Sequence, residues 1–298
     1  MINRSVIKYY LKKILPQMFF ACILFLWQKL LLKGVTALDK VRLKKFTHYH
    51  AVTLTYRGLT FKLFISPKNG FIDKYIYLYG VYEPFMLDLF KEHIHPGMTV
   101  VDIGANIGQH SMYAGTLVGK HGSVYSFEPI PFLYKQLHDS IKSNHFESII
   151  HAKNIALGEK ESYEELHVST NVGGSSLVNH DDTLETITVH LKNGDGELLS
   201  LTRVDVIKID VEGYEYEVLA GIKQTLHTHA PKIFLEFSGD FYKKQGSNNG
   251  GKILALLRDC KYTIFNIEDD MKKITDDEEF LSQFPHILIQ TNLLCIVE

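Results

Sequence analysis

Beyond residue 98, two kinds of apolar stretch take turns along the chain. Short runs rich in β-branched and aromatic residues read as strands: Thr99–Ile103, Ser123–Phe127, Ser148–Leu157, Val204–Ile209 and Lys232–Phe237. Between them, apolar residues recur at helical spacing in Gly108–Val118, Phe132–Ser143 (after Pro131), Glu215–Ile222 and Lys252–Asp259. Tyr262–Ile267 and Asn292–Val297 add two further strands. Such alternation predicts an α/β protein with a mostly parallel sheet covered by helices on both faces. Upstream, Val52–Tyr56 and Phe61–Ile65 alternate around Arg57-Gly58 and predict a small β-hairpin. Glu83–Lys91 predicts a helix leading to a turn at His95-Pro96-Gly97.

Residues 160–195 interrupt this rhythm between the third and fourth strands. Tyr163–Ser169 and Thr186–Leu191 read as added strands joined by a polar loop containing Gly173-Gly174-Ser175-Ser176. Open α/β sheets build their ligand crevice beside the carboxyl ends of their strands. Ser175 and Ser176 are therefore candidate acceptor contacts, against the alternative of a surface hairpin without a role.

Residues 1–48 follow a different pattern. Arg4, Lys8, Lys12 and Lys13 precede an apolar run from Met18 to Trp27, and Gln28 and Lys29 separate it from Leu30-Leu31-Leu32. The uninterrupted run falls short of the ~20 residues needed to span a bilayer; Ile14–Leu32 reaches marginal length if Gln28 and Lys29 are tolerated. Three readings stand: an interfacial or marginal signal anchor, a helix docked on the domain, and a cleaved signal peptide. If the segment inserts, Lys33, Lys40, Arg42, Lys44 and Lys45 would keep the remainder on the cytoplasmic side. The organisation expected is a basic and hydrophobic segment, 1–48, then a domain over 49–298. Within it, 49–95 is a lead-in and 98–298 the main sheet. The expected location is cytoplasmic, with a tether to the cytoplasmic membrane face through 14–32 if the anchor reading holds.

Composition narrows the functional classes. At 45% hydrophobic and 22% charged, the chain can bury a sizeable core. A formal net charge of −2 provides no basic field for nucleic acid, so no such partner is expected. Cys22, Cys260 and Cys295 lie far apart, which yields neither a disulfide framework nor a thiolate zinc site. None of the 15 histidines falls in a ligand spacing such as HExxH, and His93, His95, His227 and His229 read as surface or turn residues. No metal is expected; clustered acids can hold Mg²⁺, but nothing in the spacing demands it.

The chemistry concentrates first in Val100-Val101-Asp102-Ile103-Gly104-Ala105-Asn106-Ile107-Gly108, a strand-to-helix junction. Its glycines permit a tight turn and a close approach of main chain to a ligand, and a helix N-terminus beyond it suits a carboxylate. It is not the dinucleotide G-x-G-x-x-G pattern, because Asn106 stands at the second glycine position. Asp102 suits an ammonium or sulfonium better than a pyrophosphate. Glu128 closes the next strand, where an acid can accept both hydroxyls of a ribose.

These residues belong to a longer series. Gly80-Val81-Tyr82-Glu83-Pro84, VVDIGANIGQHSMYAG, VYSFEP, NIALGEKE, GGSSL, VDVIKIDVEGYEYEVLAGI and IFLEF resemble the successive motifs of the FkbM-type methyltransferases. The likeness runs from Gly80 to the C-terminal end. It implies a seven-stranded class I (Rossmann-like) sheet, S-adenosylmethionine as cofactor, and transfer of methyl to oxygen. The acceptor implied is a hydroxyl of a sugar, glycan, lipid-linked glycan or natural product. By resemblance, Asp102, Gly104, Ala105, Asn106 and Gly108 line the methionine and ribose part. Glu128 and Pro129 lie at the ribose, and Asn154 with Ala156 at the adenine edge.

An alcohol acceptor needs alignment with the methyl and a nearby proton acceptor. Asp210, Glu212 and Glu236 sit at the ends of the fourth and fifth strands and are the candidate bases. His110 is a further one, although a helix-surface histidine is the simpler expectation. Lys208 is a buried partner for a carboxylate or an acceptor contact. Glu215 and Glu217 read as helix-surface charge. Two other functions remain to be weighed at this point: an NAD(P) oxidoreductase on a similar sheet, and a non-catalytic, membrane-associated protein that keeps a cofactor pocket.

Overall fold

The computed structural model describes residues 37–67, 70–169, 177, 183–239, 242, 246–284 and 290–297. The 14–32 segment, and Ser175 and Ser176 of the polar loop, lie outside the described residues. Among the described residues no helix is long and apolar enough to cross a membrane.

The lead-in begins with helix α1 (Ala37–Leu43) and the predicted hairpin, β1 (His50–Tyr56) and β2 (Leu59–Ile65). Arg57 and Gly58 turn it with φ of 50° and 83°, the positive pair that a two-residue hairpin needs. Helix α2 (Phe71–Tyr79) was not expected, because its four aromatic residues are indifferent helix formers. It stops at Gly80, whose φ of 89° lets its amide donate back to the Ile76 carbonyl. Helix α3 (Pro84–His93) follows, with Pro84 in its first turn.

The main unit runs β3 (Thr99–Ile103), α4 (Gln109–Val118), β4 (Ser123–Phe127), α5 (Pro131–Asn144) and β5 (Ile150–Lys153). After these come β6 (Ala156–Gly158), β7 (Ser162–Ser169), β8 (Thr183–Asn193) and helix α6 (Gly194–Leu198). The second half contains β9 (Val206–Ile209), α7 (Glu215–Gly221), α8 (Lys223–His229), β10 (Lys232–Phe237) and α9 (Asn249–Asp259). It closes with β11 (Tyr262–Asn266), β12 (Lys272–Lys273), α10 (Asp277–Ser282) and β13 (Thr291–Val297).

The central sheet has the order β12-β11-β13-β10-β9-β3-β4-β5. Strands β5, β4, β3, β9 and β10 pair in parallel, and β13 runs antiparallel between β10 and β11. Apart from the two-residue β12 at the edge, this is the expected seven-stranded, mostly parallel sheet. Its strands are apolar throughout because helices cover both faces. One buried cluster joins the hairpin and α3–α5 to one face, and the other joins α7–α9 to the opposite face.

The chain runs outward from β3 through β4 to β5 and then returns to β9 on the other side of β3. The carboxyl ends of β3 and β9 therefore flank the switch point, where open α/β sheets bind ligands.

The third strand departs from expectation. In place of one strand over Ser148–Leu157, β5 stays in the central sheet, while β6 pairs with β8 in a separate sheet, β6-β8-β7. Asn154 makes the break, donating its side-chain amide to the carbonyls of Glu128 and Pro129. The second sheet lodges against α7, where Gly221 meets the Gly158 carbonyl so closely that a Cβ would lie 2.0 Å from it.

Candidate active site

The loop from Gly104 to Gly108 leaves β3 at the switch point. Close packing within the protein requires its glycines. Gly104 has φ of 80°, and a Cβ there would lie 1.8 Å from the Asp210 carbonyl oxygen. Gly108 has φ of 91° and presses on Leu137 of α5. Asn106, at φ 52°, tolerates the left-handed region better than most residues. The amides of Gly104 and Ala105 both donate to the Phe127 carbonyl, and Gly108 donates to the Ala105 carbonyl. Asn106 donates to Glu128 Oε2, and Ile107 donates to the Asn106 side-chain oxygen. The loop thus spends its own amides on its shape and brings the first turn of α4 to the sheet edge.

Glu128 is buried at the end of β4, and its second oxygen accepts from the Ile130 amide. Burial pushes its carboxyl up to about 7. A carboxylate offers about four acceptor positions, of which these amides use two. Asn154 and Pro129 brace the same corner through the Asn154 amide, and Ala156 is buried at the start of β6. The expected ribose and adenine residues therefore converge on one end of β4 and β5.

Asp102 is 1% exposed and does not open onto the crevice. Its Oδ2 accepts from the Ser111 hydroxyl at 2.6 Å, and its Oδ1, which has no hydrogen-bond partner, lies 3.6 Å from Lys208 Nζ. Asp102 and Lys208 are register partners on β3 and β9, which places their side chains on the same face. Lys208 is buried; its ammonium donates to Asp210 Oδ2 at 3.0 Å and reaches the Gly104 carbonyl at 3.5 Å. The ammonium is thus engaged with protein partners.

Three carboxyl groups gather just beyond. Asp210 follows β9, Glu212 occupies the turn before α7 with φ of 49°, and Glu236 lies in β10. One oxygen from each lies within 4.8 Å of the others. Glu236 Oε1 accepts from the Gln290 amide at 2.8 Å, while its Oε2 is buried with no partner. Like charges at this range cannot all ionise together. Burial, followed by repulsion from Asp210 and Glu212, drives Glu236 well above the ordinary range; burial and Asp210 do the same to Glu212. Burial opposes ionisation of Asp210 too, but the Lys208 ammonium outweighs it and holds Asp210 low. One ionised carboxylate thus adjoins carboxyls that keep protons at neutral pH, the split that separates acid from base in one site.

The lead-in completes the wall. Gln109, the first residue of α4, accepts from the Tyr82 amide at 2.6 Å and donates to the Tyr82 carbonyl at 2.7 Å. Tyr82 and Glu83 are thereby held over the carboxyl ends of the strands. Glu83 has φ of 45°, and burial and Asp210 push its carboxyl up to about 7. Its Oε2 lies 3.7 Å from His110 Nε2. His110 is buried and not on a helix surface; burial and the Lys208 charge lower it to about 3, so its ring stays neutral. Glu215 is likewise buried and not surface charge. Its carboxyl accepts from the Gly213 amide and from the Tyr242 hydroxyl, closing the turn that carries Glu212. Tyr82 and Glu83 were not singled out as site residues beforehand; the tie to Gln109 that brings them in leaves no local pattern.

The strand order, the switch-point loop and the acids closing β4, β9 and β10 define a class I methyltransferase. The methyltransferase FkbM domain matches residues 102–264, more than half of the chain, and the chain belongs to that family. It is 26% identical over 202 residues to the hexuronic acid methyltransferase AglP of Haloferax volcanii, covering 67% of this chain and 75% of that one. Similar solved structures include the methyltransferase FkbM from Methylobacillus flagellatus, at 16% identity and a TM-score of 0.43, covering 76% of this chain and 56% of that one. Fibrillarin from Aeropyrum pernix, in complex with S-adenosyl-L-methionine, gives 11% identity and a TM-score of 0.42 over 83% and 99% of the two chains. The protein is an S-adenosylmethionine-dependent methyltransferase. The residues present fit the cofactor: Glu128 retains acceptor positions for ribose hydroxyls at the edge of the glycine loop, and the ionised Asp210 lies at the end of β9 beyond it.

Proposed function

We propose that this enzyme methylates a hydroxyl of a sugar or glycan, with Asp210, Glu212 and Glu236 as the groups that orient that hydroxyl and take its proton. The observation that supports this most is the approach of the three carboxyls within 4.8 Å at the ends of β9 and β10, beside the cofactor loop. When bound, S-adenosylmethionine supplies an electrophilic methyl group on a sulfonium. The chain's own part would be to hold the acceptor hydroxyl and take its proton, a task that falls to the ionised Asp210 while Glu212 and Glu236 keep theirs. Gln290 fixes Glu236 Oε1, which leaves the proton that Glu236 keeps on the buried Oε2, where it can be donated toward Asp210 or the acceptor oxygen. Alignment of this kind supplies around 7–11 kcal/mol of a barrier, and a positioned base typically 10²–10⁴-fold in rate. The hexuronic acid methyltransferase relative supports a carbohydrate acceptor. Asp102 and Lys208 act behind this site as a buried ion pair that fixes Asp210. Asn106, Ala105, Glu128, Pro129, Asn154 and Ala156 are the proposed surroundings of the cofactor.

The test is methyl transfer from labelled S-adenosylmethionine to a panel of free sugars and oligosaccharides, wild type against E236Q. Label in a carbohydrate, reduced at least 100-fold in E236Q with cofactor affinity kept, is the expected result. Equal transfer by both proteins would remove the carboxyls from the mechanism.

A further inference from the structure

S-Adenosylmethionine carries a carboxylate and an ammonium at its amino-acid end. Helix α4 opens where the glycine loop closes, and a helix N-terminus favours the carboxylate. The ammonium needs acceptors of its own. Asp102, the acid that precedes the loop, is enclosed: Ser111 donates to its Oδ2 at 2.6 Å, and Lys208 lies 3.6 Å from its Oδ1. That role falls to another group.

A pair of side chains at the first turn of α4 suits it. His110 is the second residue of the helix, two positions after Gly108. Its ring is buried, and its Nε2 has no hydrogen-bond partner. Glu83 Oε2 lies 3.7 Å from that nitrogen, too far for a hydrogen bond between the two. Burial and the Lys208 charge keep the ring neutral, so one of its nitrogens offers a lone pair. With that lone pair on Nε2, two acceptors stand side by side. A donor atom about 2.9 Å from each sees them roughly 80° apart, within reach of two N–H bonds of one ammonium. A hydroxyl brings a single hydrogen and serves one of them; an ammonium brings three and serves both.

Glu83 is anchored from two sides. Gln109 fixes Tyr82 before it, and the Tyr56 hydroxyl donates to the Pro84 carbonyl after it at 2.9 Å, so loss of one tie leaves the other. Between them Glu83 holds left-handed backbone at φ of 45°, a conformation that persists where surrounding structure fixes it and that clusters at functional sites. Its carboxyl, pushed up to about 7 by burial and Asp210, ionises readily once a cation adjoins it. Lys208, whose charge reaches His110, is paired with Asp210 at 3.0 Å, so an arriving ammonium meets no unpaired cation.

We propose that Glu83 and His110 form the subsite for the α-ammonium of S-adenosylmethionine, with His110 protonated on Nδ1 and accepting through Nε2. The assignment concerns the methyl donor and stands apart from the identity of the acceptor.

The experiment is calorimetry on the full chain with two ligands that transfer no methyl group: S-adenosylhomocysteine, and its desamino analogue in which hydrogen replaces the α-amino group. The expected result is at least tenfold tighter binding of S-adenosylhomocysteine by the wild type. In E83Q and in H110F that ratio should shrink several-fold, while affinity for the desamino analogue changes less than threefold. H110F carries the comparison should E83Q fold poorly, and the reverse. Equal affinity of the wild type for the two ligands would overturn the inference. So would a ratio unmoved in both variants, which would place the ammonium elsewhere.

Discussion

Gln109 holds Tyr82 by both its amide and its carbonyl, at 2.6 and 2.7 Å. This pair of hydrogen bonds ties the lead-in to the helix that opens at the cofactor loop, so one glutamine couples the two halves of the site. Gln109→Ala leaves both Tyr82 groups without partners at a cost of about 1–3 kcal/mol. The expected outcome is a tenfold or greater rise in acceptor KM, with cofactor affinity changed by less than threefold. Steady-state kinetics alongside calorimetry with S-adenosylmethionine separates the two effects.

Glu128 clamps the cofactor loop through the Asn106 amide and its own corner through the Ile130 amide. Glu128→Ala removes both bonds and the acceptor positions left for ribose. Cofactor affinity should fall at least tenfold, as follows from charge-assisted hydrogen bonds worth about 1.5–3 kcal/mol each. Calorimetry that returns wild-type affinity would show that Glu128 serves the loop alone.

Lys208 pairs with Asp210 and opposes Asp102 in a buried setting. Lys208→Met strands two carboxylates, and breaking a buried pair from one side costs roughly 3–5 kcal/mol. The double variant Lys208→Met/Asp102→Asn should recover part of that loss, because it removes one of the stranded charges. Chemical denaturation of the three proteins checks the order wild type, double variant, single variant.

Glu215 is fully buried, and burial raises its carboxyl from 4.5 to about 7. The folded state therefore binds this proton more tightly than the unfolded chain does. The group's contribution to stability is greatest below pH 4.5 and falls as pH rises from there to about 7. Glu215→Gln cannot ionise and is spared the loss, which amounts to about 3 kcal/mol for a shift of this size. Melting temperatures of both proteins at pH 5 and pH 8 should show the difference moving in favour of the variant at pH 8.

The sequence made the architecture readable because strand and helix periods alternate so plainly from β3 onward. The site was readable where its residues lie at strand ends, as with Glu128, Asp210 and Glu236. It was not readable where a partner comes from far along the chain. Glu215 occupies a seven-residue helix, too short for periodicity to name its buried face, and its partner Tyr242 lies 27 residues away. His110 reads as a surface residue until Phe90, Glu83 and the sheet close over α4. The Asp102–Lys208 pair depends on β9 returning beside β3, a consequence of strand order that no local pattern records. The glycine loop lies at the switch point, and the closeness of Asp210 and Leu137, which no local pattern records, is a reason of its own for its glycines.

The most direct test of the account is labelled methyl transfer from S-adenosylmethionine into an extract of the source cells, fractionated into carbohydrate, lipid, protein and RNA. Wild type is compared with the triple variant Asp210→Asn/Glu212→Gln/Glu236→Gln. The account predicts base-stable label in the carbohydrate-containing fraction with wild type and none with the triple variant, which still binds the cofactor. Label confined to protein or RNA, or undiminished transfer by the triple variant, would contradict it.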